Sequence, residues 1–179
     1  MSPAALLDAA RYAAIKHHGQ KRKGSADLPY VAHVLDVARR LAEARPEDET
    51  LILAGVLHDV VEDADVAREE IAERFGEAVA ALVMEVTDDM SLPKRERRRR
   101  QVEEAPKKSE AARRLKLADK ASNLAALAES PPDWSLKKRR AYMDWACEVV
   151  DALRGVDEGL EAAFDDALLQ ARTALEGSA

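Results

Sequence analysis

A histidine and four acidic residues interrupt an otherwise apolar segment, LILAGVLHDVVEDADV, at positions 51 to 66. A neutral imidazole beside a carboxylate is a pair of ligands that divalent metal ions bind. Neighbouring residues of a helix point about 100° apart, so His58 and Asp59 can reach one ion only from a helix end or from a cleft between helices. Glu62 follows His58 by four residues and Asp59 by three, which places an acid on the same helical face as the two ligand candidates. The segment therefore predicts a metal centre with an acid beside it.

Two residues elsewhere in the chain are candidates for further ligands. His33 begins the segment AHVLDVARRL directly after LPYV, and a histidine at the start of a helix can point into a cleft. Asp119 is an acid within the apolar stripe of RRLKLADKASNL. Each alone has an ordinary structural explanation, because a buried histidine is usually hydrogen-bonded in the core and a buried aspartate often forms a salt bridge. His17 and His18 are predicted to be structural or exposed, with no role in metal binding.

Helices are the elements that must position these residues. Ala-, Leu-, Glu- and Arg-rich segments with few glycines favour an all-α fold, and the apolar periodicity supports a compact domain of many amphipathic helices. The segment 19–32 contains Gly19, Gly24 and Pro29 and could hold a short hairpin near residues 20–32. The predicted helices span 4–18, 33–45, 49–63, 67–74, 76–87, 95–102, 110–129, 135–153 and 157–175.

Composition limits the protein classes that remain. A chain of 179 residues fits one domain, 1–179, and a single cysteine excludes a disulfide framework and fits a reducing compartment. The sequence has neither an apolar run near the roughly 20 residues of a membrane span nor the pattern of a signal peptide. We therefore expect a cytoplasmic protein that does not bind membranes.

The charged and aromatic residues argue against a nucleic-acid binder. The net charge is −6 and only 4% of the residues are aromatic, whereas such proteins usually combine a basic surplus with stacking aromatic side chains. The run KRERRRR at 94–100 is interpreted as a solvated helix face that flanking acids partly neutralise. Trp134 and Trp145 are predicted to be packing residues.

Several ordered motifs resemble the hydrolase domain of the RelA/SpoT family, and most closely its stand-alone members, the small alarmone hydrolases of the metazoan SpoT homologue type. The resemblance covers about positions 5 to 152 and leaves a C-terminal helix at about 157–175 beyond it. The matching segments are GQKRKG…PYVAH, LHDVVED, FGEAVAALVMEVTDD, LPKRERRRRQVEEAP and LKLADKASNL, followed by W…YMDWACEVV.

The resemblance implies a metal-dependent phosphohydrolase with an all-helical HD-domain fold. The implied substrate is the stringent-response alarmone guanosine 3′,5′-bis(diphosphate) (ppGpp, or pppGpp), from which the enzyme releases the 3′ pyrophosphate and leaves GDP or GTP. The implied cofactor is one divalent ion, Mn²⁺. Carried over position by position, the implied metal ligands are His33, His58, Asp59 and Asp119, the catalytic acids are Glu62 and Asp63, and the substrate-binding residues are Arg22, Lys23, Lys94, Asn123, Lys138 and Tyr142.

Two alternatives remain open at this point. The same site could act on another nucleotide, for example by removing the 2′ phosphate of NADPH, which metazoan relatives are known to do. The chain could instead be a non-catalytic module that binds alarmone, although the intact HD, ED and LADK motifs argue against it. Since no synthetase region is expected, the protein should degrade the alarmone and not make it. The native metal, the oligomeric state and the packing of the C-terminal helix are left open by the sequence.

Overall fold

The computed structural model describes residues 2–24 and 27–177, and these residues form helices joined by short connections. The prediction of an all-α fold is confirmed. The helices are α1 (Pro3–Lys16), α2 (Val31–Ala44), α3 (Glu49–Leu57), α4 (Val60–Ala64), α5 (Arg68–Phe75), α6 (Glu77–Val86), α7 (Lys94–Glu104), a 3₁₀ turn (Ala105–Lys107), α8 (Glu110–Glu129), α9 (Leu136–Asp151) and α10 (Glu158–Glu176).

The segment predicted to hold a hairpin is a loop with little strand character. One isolated antiparallel bridge joins Lys21 and Pro29. The Arg22 N–H donates to the Leu28 carbonyl at 2.9 Å, and the Tyr30 N–H donates to the Gln20 carbonyl at 2.9 Å. Positions 25 and 26 lie outside the described residues. The paired backbone fixes the base of the loop between α1 and α2.

Side-chain caps define where several helices begin. The hydroxyls of Ser109 and Ser135 accept the backbone N–H groups of residues three positions later, at the start of α8 and α9. Asp157 accepts the Leu160 N–H in the same way at the start of α10. Such caps satisfy backbone donors that have no partner within the helix. At the end of α5, Gly76 has φ +96, a left-handed conformation that glycine adopts at low cost.

The centre of the core is α3, which is buried on every side. Residues 51 to 57 are all buried, as expected for a helix that is apolar all round. Gly55 allows α2 to approach closely, because a Cβ atom there would lie 2.7 Å from Leu41 Cδ1 and 3.2 Å from the Ala38 Cα. The close packing of α2 on α3 brings together the two helices that carry His33 and His58.

The C-terminal helix packs on its own domain, which the sequence had left open. Helix α10 lies along α8 and also contacts α2 and α9. Its buried residues include Phe164, Leu168 and Leu175, so α8 is held between α10 and the rest of the core. Within 2–24 and 27–177, no helix is both long enough and apolar enough to cross a membrane. The cytoplasmic location stays a prediction.

Candidate metal centre and substrate cleft

The predicted helix 49–63 is interrupted where His58 and Asp59 lie. Helix α3 ends at Leu57 and α4 begins at Val60, so the prediction of one continuous helix was wrong. At the junction, Asp59 has φ −100 and ψ −3. This turn brings the two adjacent side chains together, with His58 Nε2 at 3.1 Å from Asp59 Oδ2. Their position at a helix junction is the arrangement that a shared metal ion requires.

The four residues predicted as metal ligands meet at this junction. One ligand atom from each of His33, His58 and Asp119 lies within 4.8 Å of the other two. His33 Nε2 lies 3.3 Å from Asp119 Oδ1 and 3.6 Å from Asp59 Oδ2. Asp59 therefore borders the group of three through both histidines. His33, His58 and Asp119 are buried, and the Asp59 side chain is 15% exposed.

The two imidazoles are oriented by their second ring nitrogens. His33 Nδ1 lies 3.1 Å from the Ser122 hydroxyl oxygen, and His58 Nδ1 lies 2.9 Å from the Gly55 carbonyl oxygen. Both Nε2 atoms therefore face the carboxylates, as in metal sites where an outer partner fixes the ring of a ligating histidine. His58 Nε2 is buried and, among the residues that the structure describes, accepts no hydrogen bond of regular geometry. A buried imidazole nitrogen that faces two carboxylates fits a site for a cation.

Polar side chains also hold the two carboxylates. The Tyr30 hydroxyl donates to Asp59 Oδ2 at 2.6 Å. Asp119 accepts from the Lys120 ammonium at 2.9 Å and from the Asn123 amide at 2.6 Å. These contacts fix the orientation of both acids and offset part of the cost of burying them.

The protonation of the cluster reflects burial among opposite charges. Burial alone lowers the pKa of His58, but the carboxylates of Asp59 and Asp119 outweigh it and raise that pKa to about 9. Burial lowers the pKa of His33. For Asp59 and Asp119, burial favours a higher pKa, but His58 beside Asp59 and Lys120 beside Asp119 hold both pKa values well below the usual range. The acids stay ionised, so without a metal ion the cluster binds a proton at His58.

The two acids of the ED motif lie at the edge of the same centre. Burial raises the pKa of Glu62 to about 7, although its carboxylate accepts the backbone N–H of Asp88. Burial also raises the pKa of Asp63, and the Gln20 amide donates to the Asp63 backbone carbonyl at 2.5 Å. A carboxyl group with a pKa near neutrality can both accept and donate a proton at physiological pH.

A cleft of about 600 Å³ opens from the acidic centre onto a basic wall. Of the predicted substrate-binding residues, Arg22, Lys23, Lys94, Asn123 and Tyr142 line it, as do the predicted catalytic acids. Lys138 does not line the cleft. Its ammonium lies 4.3 Å from the ring centroid of Trp134, and Trp134 does line the cleft.

The basic wall is connected to the metal centre through one asparagine. Arg22 donates through Nη2 to Asn123 Oδ1 at 3.1 Å, and the Asn123 amide in turn donates to Asp119. Burial and the nearby charges of Arg98 and Lys23 lower the pKa of Lys94, another residue of the basic wall. Several cations this close together form a surface that suits a polyanionic ligand.

Several cleft residues were missed or misjudged from the sequence. Arg97 and Arg98 belong to the run interpreted as a solvated face, yet both line the cleft. Trp145 packs against the core as predicted but also lines the cleft, as does Trp134, and the Arg98 guanidinium lies 4.6 Å from the ring centroid of Trp145. The lysines at positions 116 and 120 also line the cleft. The sequence could have indicated both lysines, because each lies three residues before a predicted site residue of α8, Lys116 before Asp119 and Lys120 before Asn123.

Comparison with known proteins gives consistent matches. Residues 9–144 match the family described as HD domain. A Drosophila melanogaster protein named guanosine-3′,5′-bis(diphosphate) 3′-pyrophosphohydrolase MESH1 is 45% identical over 169 residues, which cover 93% of this chain and 94% of that protein. The Homo sapiens protein of the same name is 46% identical over 163 residues, covering 90% and 91%.

Solved structures agree with the sequence matches. A structure described as "A metazoan ortholog of SpoT hydrolyzes ppGpp and plays a role in starvation responses" has a TM-score of 0.90 at 44% identity and covers 95% of this chain and 97% of that one. A protein from Listeria monocytogenes has a TM-score of 0.66 at 27% identity, covering 80% of this chain and 99% of that one.

Proposed function

The chain belongs to the HD domain family, and we propose that it is a metal-dependent hydrolase that releases pyrophosphate from the 3′ position of guanosine 3′,5′-bis(diphosphate). The resemblance to RelA/SpoT-type hydrolases that the motifs indicated is confirmed by the comparisons. The observation that carries the proposal is one cleft that joins a buried histidine–aspartate cluster to a wall of arginine and lysine side chains. A nucleotide with two diphosphate groups matches that combination of charges.

The residues that would hold the metal ion are His33, His58 and Asp119, together with Asp59. Two imidazoles and two carboxylates with space for further oxygen ligands suit Mn²⁺ better than a closed structural zinc site. When bound, a divalent ion supplies Lewis-acid polarisation of the phosphate and lowers the pKa of water. The buried His58 Nε2, which faces the carboxylates of Asp59 and Asp119, supports this assignment.

The chain's own acids would transfer the protons of the reaction. The oxygen of water forms a bond to the 3′ phosphorus, and the bond from that phosphorus to the ribose 3′ oxygen breaks. Glu62, with a pKa of about 7, or the neighbouring Asp63 accepts the proton of the water and returns one to the 3′ oxygen. General acid–base help of this kind contributes about 10²–10⁴-fold to a rate.

The basic wall would bind and orient the nucleotide. Arg22, Lys23 and Lys94 are placed to bind phosphate oxygens through charge-assisted hydrogen bonds. Tyr142 lies between Trp134 and Trp145, with ring centroids 5.8 and 5.6 Å from its own, and this aromatic surface suits a base. Lys138 would act from the rim, where it lies over Trp134.

An assay of the chain loaded with Mn²⁺ tests the proposal. The expected result with guanosine 3′,5′-bis(diphosphate) is GDP and pyrophosphate, with loss of turnover after chelation and in a His58→Ala variant. Release of inorganic phosphate from NADPH without pyrophosphate from the alarmone would favour the NADPH alternative. Tight binding of the alarmone without turnover would favour the non-catalytic alternative, and either result would overturn the proposal.

A further inference from the structure

Lys116 is a cleft residue that the proposed mechanism does not yet use. It lies on α8 three residues before Asp119, four before Lys120 and seven before Asn123. Residues at these spacings share one face of a helix, and all four line the cleft. Lys116 therefore belongs to the helix face that also carries the metal-ligand candidate Asp119.

The two lysines on this face differ in their partners. Lys116 is only 8% exposed and Lys120 only 4%. The Lys120 ammonium is neutralised by Asp119 at 2.9 Å. The Lys116 ammonium opens onto the cleft and lies within electrostatic range of the Glu62 carboxyl group. A largely buried lysine whose ammonium faces a cleft is placed to bind an anionic ligand there.

The neighbours of Lys116 place it near the proposed catalytic acid Glu62. Burial raises the pKa of Glu62, and the charge of Lys116 acts in the opposite direction, so the ammonium lies within electrostatic range of the proposed acid. Arg22, which contacts Asn123, lies at the other end of the same helix face. The ends of the cleft thus carry separate cations, and the one beside Glu62 is Lys116.

We propose that Lys116 binds the non-bridging oxygens of the pyrophosphoryl group while that group passes from the ribose 3′ oxygen to water. The inference rests on the proposed function, which supplies the reaction. Water gives its oxygen to the 3′ phosphorus, the 3′ oxygen leaves with a proton, and pyrophosphate is formed. Lys116 keeps its proton throughout and contacts pyrophosphate as product. It is therefore a substrate- and product-binding residue and not an acid or a base.

Product inhibition by pyrophosphate tests the assignment. Lys116→Met preserves most of the side-chain length and removes the charge, Lys116→Arg restores a cation, and Lys107→Met removes an exposed lysine that does not line the cleft. We expect Lys116→Met to raise the inhibition constant of pyrophosphate and to lower kcat/KM, each by about 10- to 100-fold, as for a lost hydrogen bond to a charged group. Inhibition by GDP, which lacks a 3′ phosphate, should stay unchanged, and Lys116→Arg should recover part of the loss.

Thermal melts with pyrophosphate in the presence of EDTA give a second measurement that does not depend on turnover. Pyrophosphate should raise the Tm of the wild type and of Lys107→Met but not that of Lys116→Met. If Lys116→Met does not fold, Lys116→Gln carries the same expectations. A folded variant that is inhibited by pyrophosphate as strongly as the wild type would overturn the inference. Failure of the wild type to release pyrophosphate would instead overturn the proposed function, and the melts would still report on Lys116.

Discussion

Metal binding to this chain should be strongly pH-dependent, because the ion must displace a proton from His58. Only a neutral imidazole binds a metal ion, so a raised imidazole pKa reduces the apparent affinity. With the His58 pKa at about 9, about one chain in a hundred has a neutral imidazole at pH 7. The apparent Kd for Mn²⁺ should therefore fall about tenfold for each pH unit between 7 and 8.5. A histidine with the ordinary value of 6.5 would leave the Kd nearly constant over that range.

Isothermal titration calorimetry with Mn²⁺, in paired buffers of different ionisation enthalpy, measures both quantities. At pH 7.5 we expect the release of about one proton for each ion bound. Glu62→Gln is the matched control, because it removes the other nearby group with a raised pKa, about 7, and leaves His58 in place. The variant should keep the proton release. A Kd that stays constant from pH 7 to 8.5, with no proton released, would refute the reasoning and show that His58 is already neutral in the free protein.

Three further outcomes follow from the same geometry. Glu62→Gln should bind Mn²⁺ as the wild type does but lower kcat by about 10²–10⁴-fold, and loss of the ion in a metal analysis would make Glu62 a ligand instead. Tyr30→Phe removes the hydrogen bond to Asp59 and should weaken Mn²⁺ binding by about 10- to 100-fold. Tyr12→Phe removes a comparable bond to a carboxylate outside the cleft and should leave the Kd unchanged. The charged His58 should stabilise the metal-free fold by on the order of 3 kcal/mol at pH values below about 6.5. This contribution should disappear as the pH rises to 9. Denaturant melts that show a constant free energy of unfolding across this range would contradict the raised pKa.

The sequence was sufficient to predict the type of fold, and residues that the family resemblance implies as metal ligands lie close together in the structure. Apolar periodicity predicts helices well when they are long, and α8 matches its predicted range of 110–129. Adjacent His58 and Asp59 can meet one ion only at a helix end or in a cleft between helices, and the structure has a helix junction at these two residues. Here the chemistry of the residues was more informative than their hydrophobicity.

The interruption of the helix and the composition of the cleft wall could not be predicted in the same way. A helix junction inside a buried segment leaves the apolar pattern unchanged, so periodicity alone predicted one helix over 49–63. The partial burial of Arg97, Arg98 and Trp145 depends on how α7 meets α9, and those helices are distant in sequence. The amino-acid sequence of a basic run does not differ between a helix that lines a cleft and a helix that faces solvent.

The packing of Gly55 means that a residue without a side chain helps to determine metal affinity. Its carbonyl holds His58, and its missing Cβ lets α2, with His33, approach α3. A methyl group at 3.2 Å from the Ala38 backbone would force the helices apart by a few tenths of an ångström, whereas metal–ligand distances tolerate only about 0.2 Å. In a library of random variants selected for Mn²⁺ binding, position 55 should therefore be as intolerant of change as the histidines themselves.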